Sequence, residues 1–362
     1  MKIKSIDTIQ LRIPFEDGGS GLGMTPQRWN AFDMVLVRVE TESGLVGWGE
    51  AFAYFCRRSV ASLIEDLVAP ALIGRDASDP AALNDEMQRR FALFGRYGIT
   101  VFGISGVDIA LWDLKAKAEG VSLARLLTGG ARLREEVTSY ASLVRYGRAD
   151  LVAKFSEQAA REGYPMIKLH EVTMPEIRAG RGAIDPAVQF TVDVNCSWSE
   201  AYAASVLPEL KALDTLWLEE PIFPPEDWDA MKRLGTFGVP ISAGENACTS
   251  VEFAHLAQAV TYPQPSVTKV GGITEFLRVA EIAKQQNRTL MAHSPYFGPG
   301  YFATLQLAAA VDPCGMFEYL WVQPQAWTAS DQPLPKAGAT PIPDRPGIGY
   351  EPNFAVLEQF KV

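Results

Sequence analysis

Six chemically able side chains recur at nearly equal steps through the later part of the chain. Lys168, Asp193, Glu219, Glu245, His293 and Glu318 each close a short apolar run, at intervals of 25, 26, 26, 48 and 25 residues. The long interval is two steps, with Ser266 in the middle. One strand–helix unit takes about this many residues, because eight of them fill a typical barrel of ~250. The apolar runs read as strands at residues 137–143, 166–170, 189–194, 215–219, 240–244, 266–270, 289–293 and 316–320. Segments 149–162, 199–213, 249–259 and 273–286 between them have helical periodicity. Eight strands with helical crossovers predict a closed parallel barrel, whose strand carboxyl ends surround one mouth.

The amino end follows a different pattern. Residues 3–13, 32–41 and 46–51 read as an antiparallel meander, and 59–72, 80–93 and 104–119 as helices. The fold class is therefore α/β, with an α+β unit at residues 1–125 and a barrel at 126–320. A Pro/Gly-rich segment, 321–362, wraps back on the first unit. With 48% hydrophobic and 21% charged residues, the chain reads as an ordinary globular protein. A net charge of -10 argues against a nucleic-acid or acidic-membrane partner, since both select basic surfaces. Four scattered cysteines without a CxxC pair fit a reduced, cytoplasmic setting and give no thiolate metal site. The first residues alternate like a strand and lack the pattern of a signal peptide, and no apolar run of about 18 residues spans a membrane.

Three carboxylates in one mouth repel unless a cation neutralises them. Oxygen ligands on rigid strands suit a hard divalent ion, so Asp193, Glu219 and Glu245 read as ligands to Mg2+ with positions left for substrate oxygens. Lys168 and His170 lie two apart on one strand and share a face. Either is a candidate general base: the lysine if nearby cations lower its pKa, the imidazole without tuning. His293 ends the seventh strand in the same register. His255 lies within a helical pattern and reads as a core residue.

In combination, Lys168-x-His170, Asp193-Val-Asn195, Leu218-Glu219-Glu220-Pro221, Gly244-Glu245-Asn246, Lys269-Val-Gly271-Gly272 and His293 resemble the mandelate racemase branch of the enolase superfamily. The helix GVDIALWD at 106–113 is similar to that family's capping-domain helix. The resemblance spans almost the whole chain. It implies a modified (β/α)7β barrel under an α+β cap, Mg2+ on Asp193, Glu219 and Glu245, a base on the second strand, an acid/base His293 and Glu318 beside the substrate. It also implies a homo-oligomer. Family sites are closed by two cap loops, here 16–30 and 51–59, which make Tyr54 and Arg57 candidates for the distal end of the substrate. Asn195, Asn246, Tyr296 and Trp321 are further candidates at the barrel ends.

Two departures bear on the reaction. His170 stands where the racemase has a second lysine, and Ser266 where the partner of the catalytic histidine is an aspartate. A serine hydroxyl orients an imidazole without raising its basicity, which weakens His293 as a base more than as an acid. The expected chemistry is removal of the α-proton of a carboxylate substrate by Lys168 or His170. β-Elimination of water follows, with His293 as acid and a polyhydroxylated sugar acid as substrate. Racemisation, epimerisation or lactone cycloisomerisation on the same scaffold is the alternative.

Overall fold

Period-two alternation at the amino end produces β1 (Ile3–Glu16), β2 (Ala31–Thr41) and β3 (Val46–Ala51), paired as an antiparallel meander. The computed structural model that defines these elements describes residues 1–21, 28–131, 134–312 and 314–362. Helices α1 (Arg57–Leu63), α2 (Ala69–Leu72), α3 (Pro80–Arg90) and α4 (Gly98–Ala118) follow, with a π-helical turn at Ile64–Val68. α4 is apolar nearly all round because β3 lies against one side and the barrel against another. The approach to β3 is very close. A Cβ on Gly49 would stand 1.9 Å from the Gly106 carbonyl oxygen, so neither strand nor helix has room for a side chain there.

After α5 (Leu123–Leu127), strands and helices alternate. β4 (Glu136–Ser142), β5 (Met166–Leu169), β6 (Gln189–Asp193), β7 (Thr215–Glu219), β8 (Ile241–Ala243) and β9 (Tyr262–Pro263) pair in parallel in that order, and β10 (Phe317–Leu320) pairs back on β4. Outside them run α6 (Ala149–Arg161), α7 (Met174–Gly182), α8 (Glu200–Ala212), α9 (Trp228–Gly235), α10 (Thr249–Ala259), α11 (Gly272–Gln285) and α12 (Pro299–Ala310). Residues 290–293 complete the ring. The Met291 and His293 amides donate to the Pro263 and Pro265 carbonyls (3.1 and 3.2 Å), and Leu290 O accepts from Gly315 N (2.8 Å).

Two expected strands differ. The sixth stave is β9, not residues 266–270, whose β-branched SVTKV run forms a turn in which the Lys269 and Val270 amides bond back to Ser266 O (2.9 and 2.8 Å). Pro263 and Pro265 have no amide donor, so regular pairing stops before Ser266. The seventh stave has a single bridge, Leu290–Cys314, in place of a full strand over 289–293.

The chain beyond β10 returns to the first sheet. β11 (Gln323–Pro324) pairs with β1, β12 (Ala339–Pro341) pairs with β4, and after α13 (Phe354–Gln359) the Val362 amide donates to Gln10 O at 3.1 Å. No helix among the described residues is long and apolar enough to cross a membrane.

Buried carboxylates from the cap hold two barrel helices by their amino ends. Glu50 on β3 accepts from the Gly300 amide in the first turn of α12 (2.8 Å). Asp108 on α4 accepts from the Thr274 amide (3.0 Å) and hydroxyl (2.6 Å) at the start of α11, and from Asn84 (2.8 Å). Unpaired amides and the helix dipole favour an acceptor at both places. Gly272 (φ 81°) makes room, since a Cβ there would fall 2.3 Å from Asp108 Oδ2.

Burial pushes both Glu50 and Asp108 up to about 7 in spite of these bonds. A folded state that holds the proton more tightly than the unfolded chain is favoured at low pH. The contribution of Glu50 is therefore present below its ordinary value of 4.5 and lost as pH rises through about 7. Urea unfolding of the parent and of Glu50→Gln at pH 5 and pH 8 checks this. The variant should gain stability relative to the parent with rising pH, by on the order of 1–3 kcal/mol.

Candidate functional site

The barrel mouth is organised around Lys168 on β5. Strand period turns Lys168 inward at the level of the carboxylates that end β6 and β7. Its Nζ lies 2.6 Å from Glu318 Oε1, 2.8 Å from Glu219 Oε1 and 3.6 Å from Asp193 Oδ2, with no solvent exposure. Burial alone would lower the pKa of this ammonium; Glu219, Glu318 and Asp193 overcome that and hold it well above the usual lysine range. Lys168 and His170, the two candidate bases, both face carboxylates in the same mouth.

The carboxylates respond differently to the same crowding. Burial and the neighbouring Asp193 and Glu318 push Glu219 well above its ordinary range, against the pull of Lys168. Its Oε2 accepts from Trp217 Nε1 (2.9 Å) and Gln264 Nε2 (2.8 Å). Asp193 and Glu318 are buried too, yet His170 and Lys168 hold the first below its usual range, and Lys168 and His293 the second. Glu318 Oε2 also accepts from the Ser294 amide (2.9 Å). Glu245, one residue past the Gly244 that follows β8, is desolvated but held well below its usual range by Lys269, His293 and Lys168.

The two mouth histidines face these groups through Nε2. His170 Nε2 is 3.2 Å from Asp193 Oδ2, while Nδ1 is 2.5 Å from Leu143 O. A carbonyl only accepts, so that contact puts a proton on Nδ1 and leaves Nε2 to face the mouth. His293 Nε2 is 3.0 Å from Glu245 Oε2. Its Nδ1 meets two hydroxyls and no carboxylate: Ser266 Oγ at 3.2 Å and Tyr296 Oη at 3.2 Å.

The other sequence candidates spread further. The Asn195 amide donates to Asp193 Oδ1 (2.8 Å), and its Oδ1 accepts from Arg145 (3.2 Å). Asn246 is exposed, with its amide 3.6 Å from Cys196 Sγ. The Tyr54 hydroxyl donates to Pro295 O, in the loop that carries His293. The Arg57 guanidinium is engaged by Asp33 at 2.7 Å. Trp321 turns outward and donates to Glu162 at the end of α6 (2.8 Å). His255, expected in the core, is exposed on α10. Within the expected cap loop 16–30, residues 22–27 lie outside the described residues.

Sequence reasoning passed over Arg145, which donates to His170 O (2.7 Å) and lies 25 residues before it. That spacing is the barrel period, so Arg145 was the signal for the first stave. Glu220 was quoted only as part of a motif. It is buried, accepts from Gly244 N (2.9 Å), and is pushed up to about 7 by burial and then by Glu245.

Asp193, Glu219 and Glu245 offer oxygen donors from three consecutive staves, the set a hard dication selects. Among the described residues, no three His, Cys, Asp or Glu side chains are arranged to hold a metal ion as they stand. Each of these carboxylates is turned to a cationic or imidazole neighbour instead: Asp193 to His170, Glu219 to Lys168 and Glu245 to His293.

Comparison with known proteins gives a consistent picture. Residues 150–356 match the family model described as enolase C-terminal domain-like, and residues 22–128 match the mandelate racemase / muconate lactonizing enzyme N-terminal domain. The chain is 29% identical to an arabinonate dehydratase of Saccharolobus solfataricus, over 99% of both chains. It is 29% identical to a D-galactarolactone cycloisomerase of Agrobacterium fabrum, over 100% of this chain and 99% of that one. A crystal structure of a racemase from Streptomyces coelicolor A3(2) with bound magnesium superposes with a TM-score of 0.89 at 27% identity, over 99% of this chain and all of that one.

Lys168→Met leaves three buried carboxylates without their shared counter-charge. We expect a loss of roughly 3–5 kcal/mol, the range for breaking a buried ion pair, read as a fall in the denaturant midpoint in EDTA-treated buffer.

Proposed function

Because the chain belongs to the mandelate racemase / muconate lactonizing enzyme family of the enolase superfamily, we propose that it dehydrates an acid sugar by removing the proton beside the carboxylate and then expelling the β-hydroxyl as water. The observation that carries this reading is the surroundings of His293. Among the described residues, its Nδ1 contacts the hydroxyls of Ser266 and Tyr296. Burial pushes the Tyr296 hydroxyl well above its usual range, so it brings no negative charge. An imidazole whose Nδ1 is backed by hydroxyls is a weaker base at Nε2 than one backed by a carboxylate. That suits an acid toward a leaving hydroxyl better than a base strong enough for the reverse proton removal.

Asp193, Glu219 and Glu245 would hold Mg2+. The donor set fits, and the burial and carboxylate repulsion that raise Glu219 are costs a dication relieves. When bound, Mg2+ stabilises the negative charge that α-proton removal places on a substrate carboxylate.

The residues of the chain then divide the work. His170, with Nδ1 fixed by Leu143 O, takes the α-proton at Nε2. We assign the α-proton to His170 in preference to Lys168, whose Nζ is engaged by Glu318 and Glu219. His293 gives its Nε2 proton to the β-hydroxyl, the Cβ–O bond breaks, and water leaves. The enol that remains tautomerises to a 2-keto-3-deoxy acid. Glu318, anchored by Ser294 N and Lys168, lines the same side of the mouth as His293. Tyr54, Asn195 and Asn246 are our candidates for substrate contacts, and Arg57 acts through Asp33. The cycloisomerase relative favours a second reading, in which the proton is returned or a lactone ring is opened without loss of water.

Turnover of a panel of acid sugars with Mg2+ in D2O separates the readings. Dehydration gives 2-keto-3-deoxy acids, whereas deuterium at the α-carbon with no keto acid overturns it. His293→Asn should lower keto-acid formation by about 10²–10⁴-fold, the span of a lost general acid, and leave α-proton exchange measurable by NMR. His170→Asn should remove both.

A further inference from the structure

A cavity of about 400 Å³ opens beside the mouth, between the start of α4 and the barrel loops that follow β7, β8 and β9. Tyr97 and Phe102 form its cap side. Glu226, Asn246, Glu252 and Lys269 form its barrel side. Lys269 joins it to the reacting centre. This side chain is only 9% exposed, and its ammonium sits over the rings of Phe52 (4.7 Å) and Phe102 (6.0 Å). The nearest carboxylate oxygen, Glu245 Oε2, is 3.9 Å away, beyond hydrogen-bond reach. Among the described residues, none accepts a hydrogen bond from this ammonium. A cation at the end of a nine-tenths-buried side chain, its donors unused, is an open demand for oxygen acceptors.

We propose that this cavity takes the hydroxylated tail of the substrate and restricts the enzyme to monocarboxylates, aldonates in preference to aldarates. The proposal rests on the acid-sugar reading above. A hydroxyl both donates and accepts, and the cavity supplies both needs. Lys269 donates to oxygen, the Asn246 amide does either, and Glu226 and Glu252 accept from O–H. Glu252 is fixed in place through Oε2 by the Cys248 amide (2.6 Å), and Glu226 is exposed at the lip. Lys269 is one cation against two carboxylates, so a chain that ends in a second carboxylate meets a cavity of net negative charge. A site that places like charge against the wrong ligand discriminates by repulsion, independently of how well it holds the right one.

The test compares matched pairs, gluconate with glucarate and galactonate with galactarate, by calorimetric binding in the presence of Mg2+. Where turnover occurs, kcat/KM adds a second readout. The parent enzyme should favour the monoacid of at least one pair by on the order of 100-fold. Glu226 is exposed, so Glu226→Gln and Glu226→Lys should fold. They should shrink that preference stepwise, the lysine variant by at least about tenfold. Equal or tighter binding of the diacids by the parent, or a preference that Glu226→Lys leaves unchanged, overturns the subsite while the acid-sugar reading stands. Failure of all four acids to bind overturns both.

Discussion

The contact between the Lys168 ammonium and the carboxylates of Glu219, Glu318 and Asp193 sets the terms for the rest of the mouth. Taking an ammonium and its carboxylate partners out of water is expensive, and only close, mutually satisfying geometry offsets it. β10 and β7 must therefore arrive at one height around β5, with β6 between β5 and β7. β10 reaches that height by pairing with β4 on the other side of β5, so closing the barrel and assembling the charge cluster are one event. Beneath the cluster, Tyr140 and Trp217 form a floor. The lysine stands 6.0 Å from the tyrosine ring, and the indole N–H steadies Glu219.

The cap is fastened to the barrel by the opposite device. Glu50 and Asp108 are single buried carboxylates set against the amino ends of α12 and α11, where backbone amides supply the partner. Such bonds are directional but carry no full positive charge, which is why burial dominates both groups and raises them. Below the mouth, charge is balanced by charge. At these two cap–barrel contacts, Glu50 and Asp108 are met by dipoles. The two halves of the molecule therefore answer differently to proton concentration.

Much of this was legible in the sequence because the barrel period converts spacing into position. Lys168, Asp193, Glu219 and Glu318 meet where their intervals placed them. The sixth stave was misread for a local reason. SVTKV has strand propensity, but the prolines at 263 and 265 decide where pairing stops. Propensity for a half-buried sheet gave way to a missing amide. The sign of the Lys168 shift was beyond sequence reasoning because it depends on distances of 2.6 to 3.6 Å among groups up to 150 residues apart. Glu50 at the start of α12 is likewise a contact across elements, to which no periodicity points. Arg145 obeyed the period and was missed only because it follows its strand.

The Tyr54 hydroxyl, in the cap, is bonded to the Pro295 carbonyl, two residues from His293. The cap is thus tied directly to the loop that presents the imidazole. Any shift in how the cap seats on the barrel is carried through this one strut to the ring two residues away.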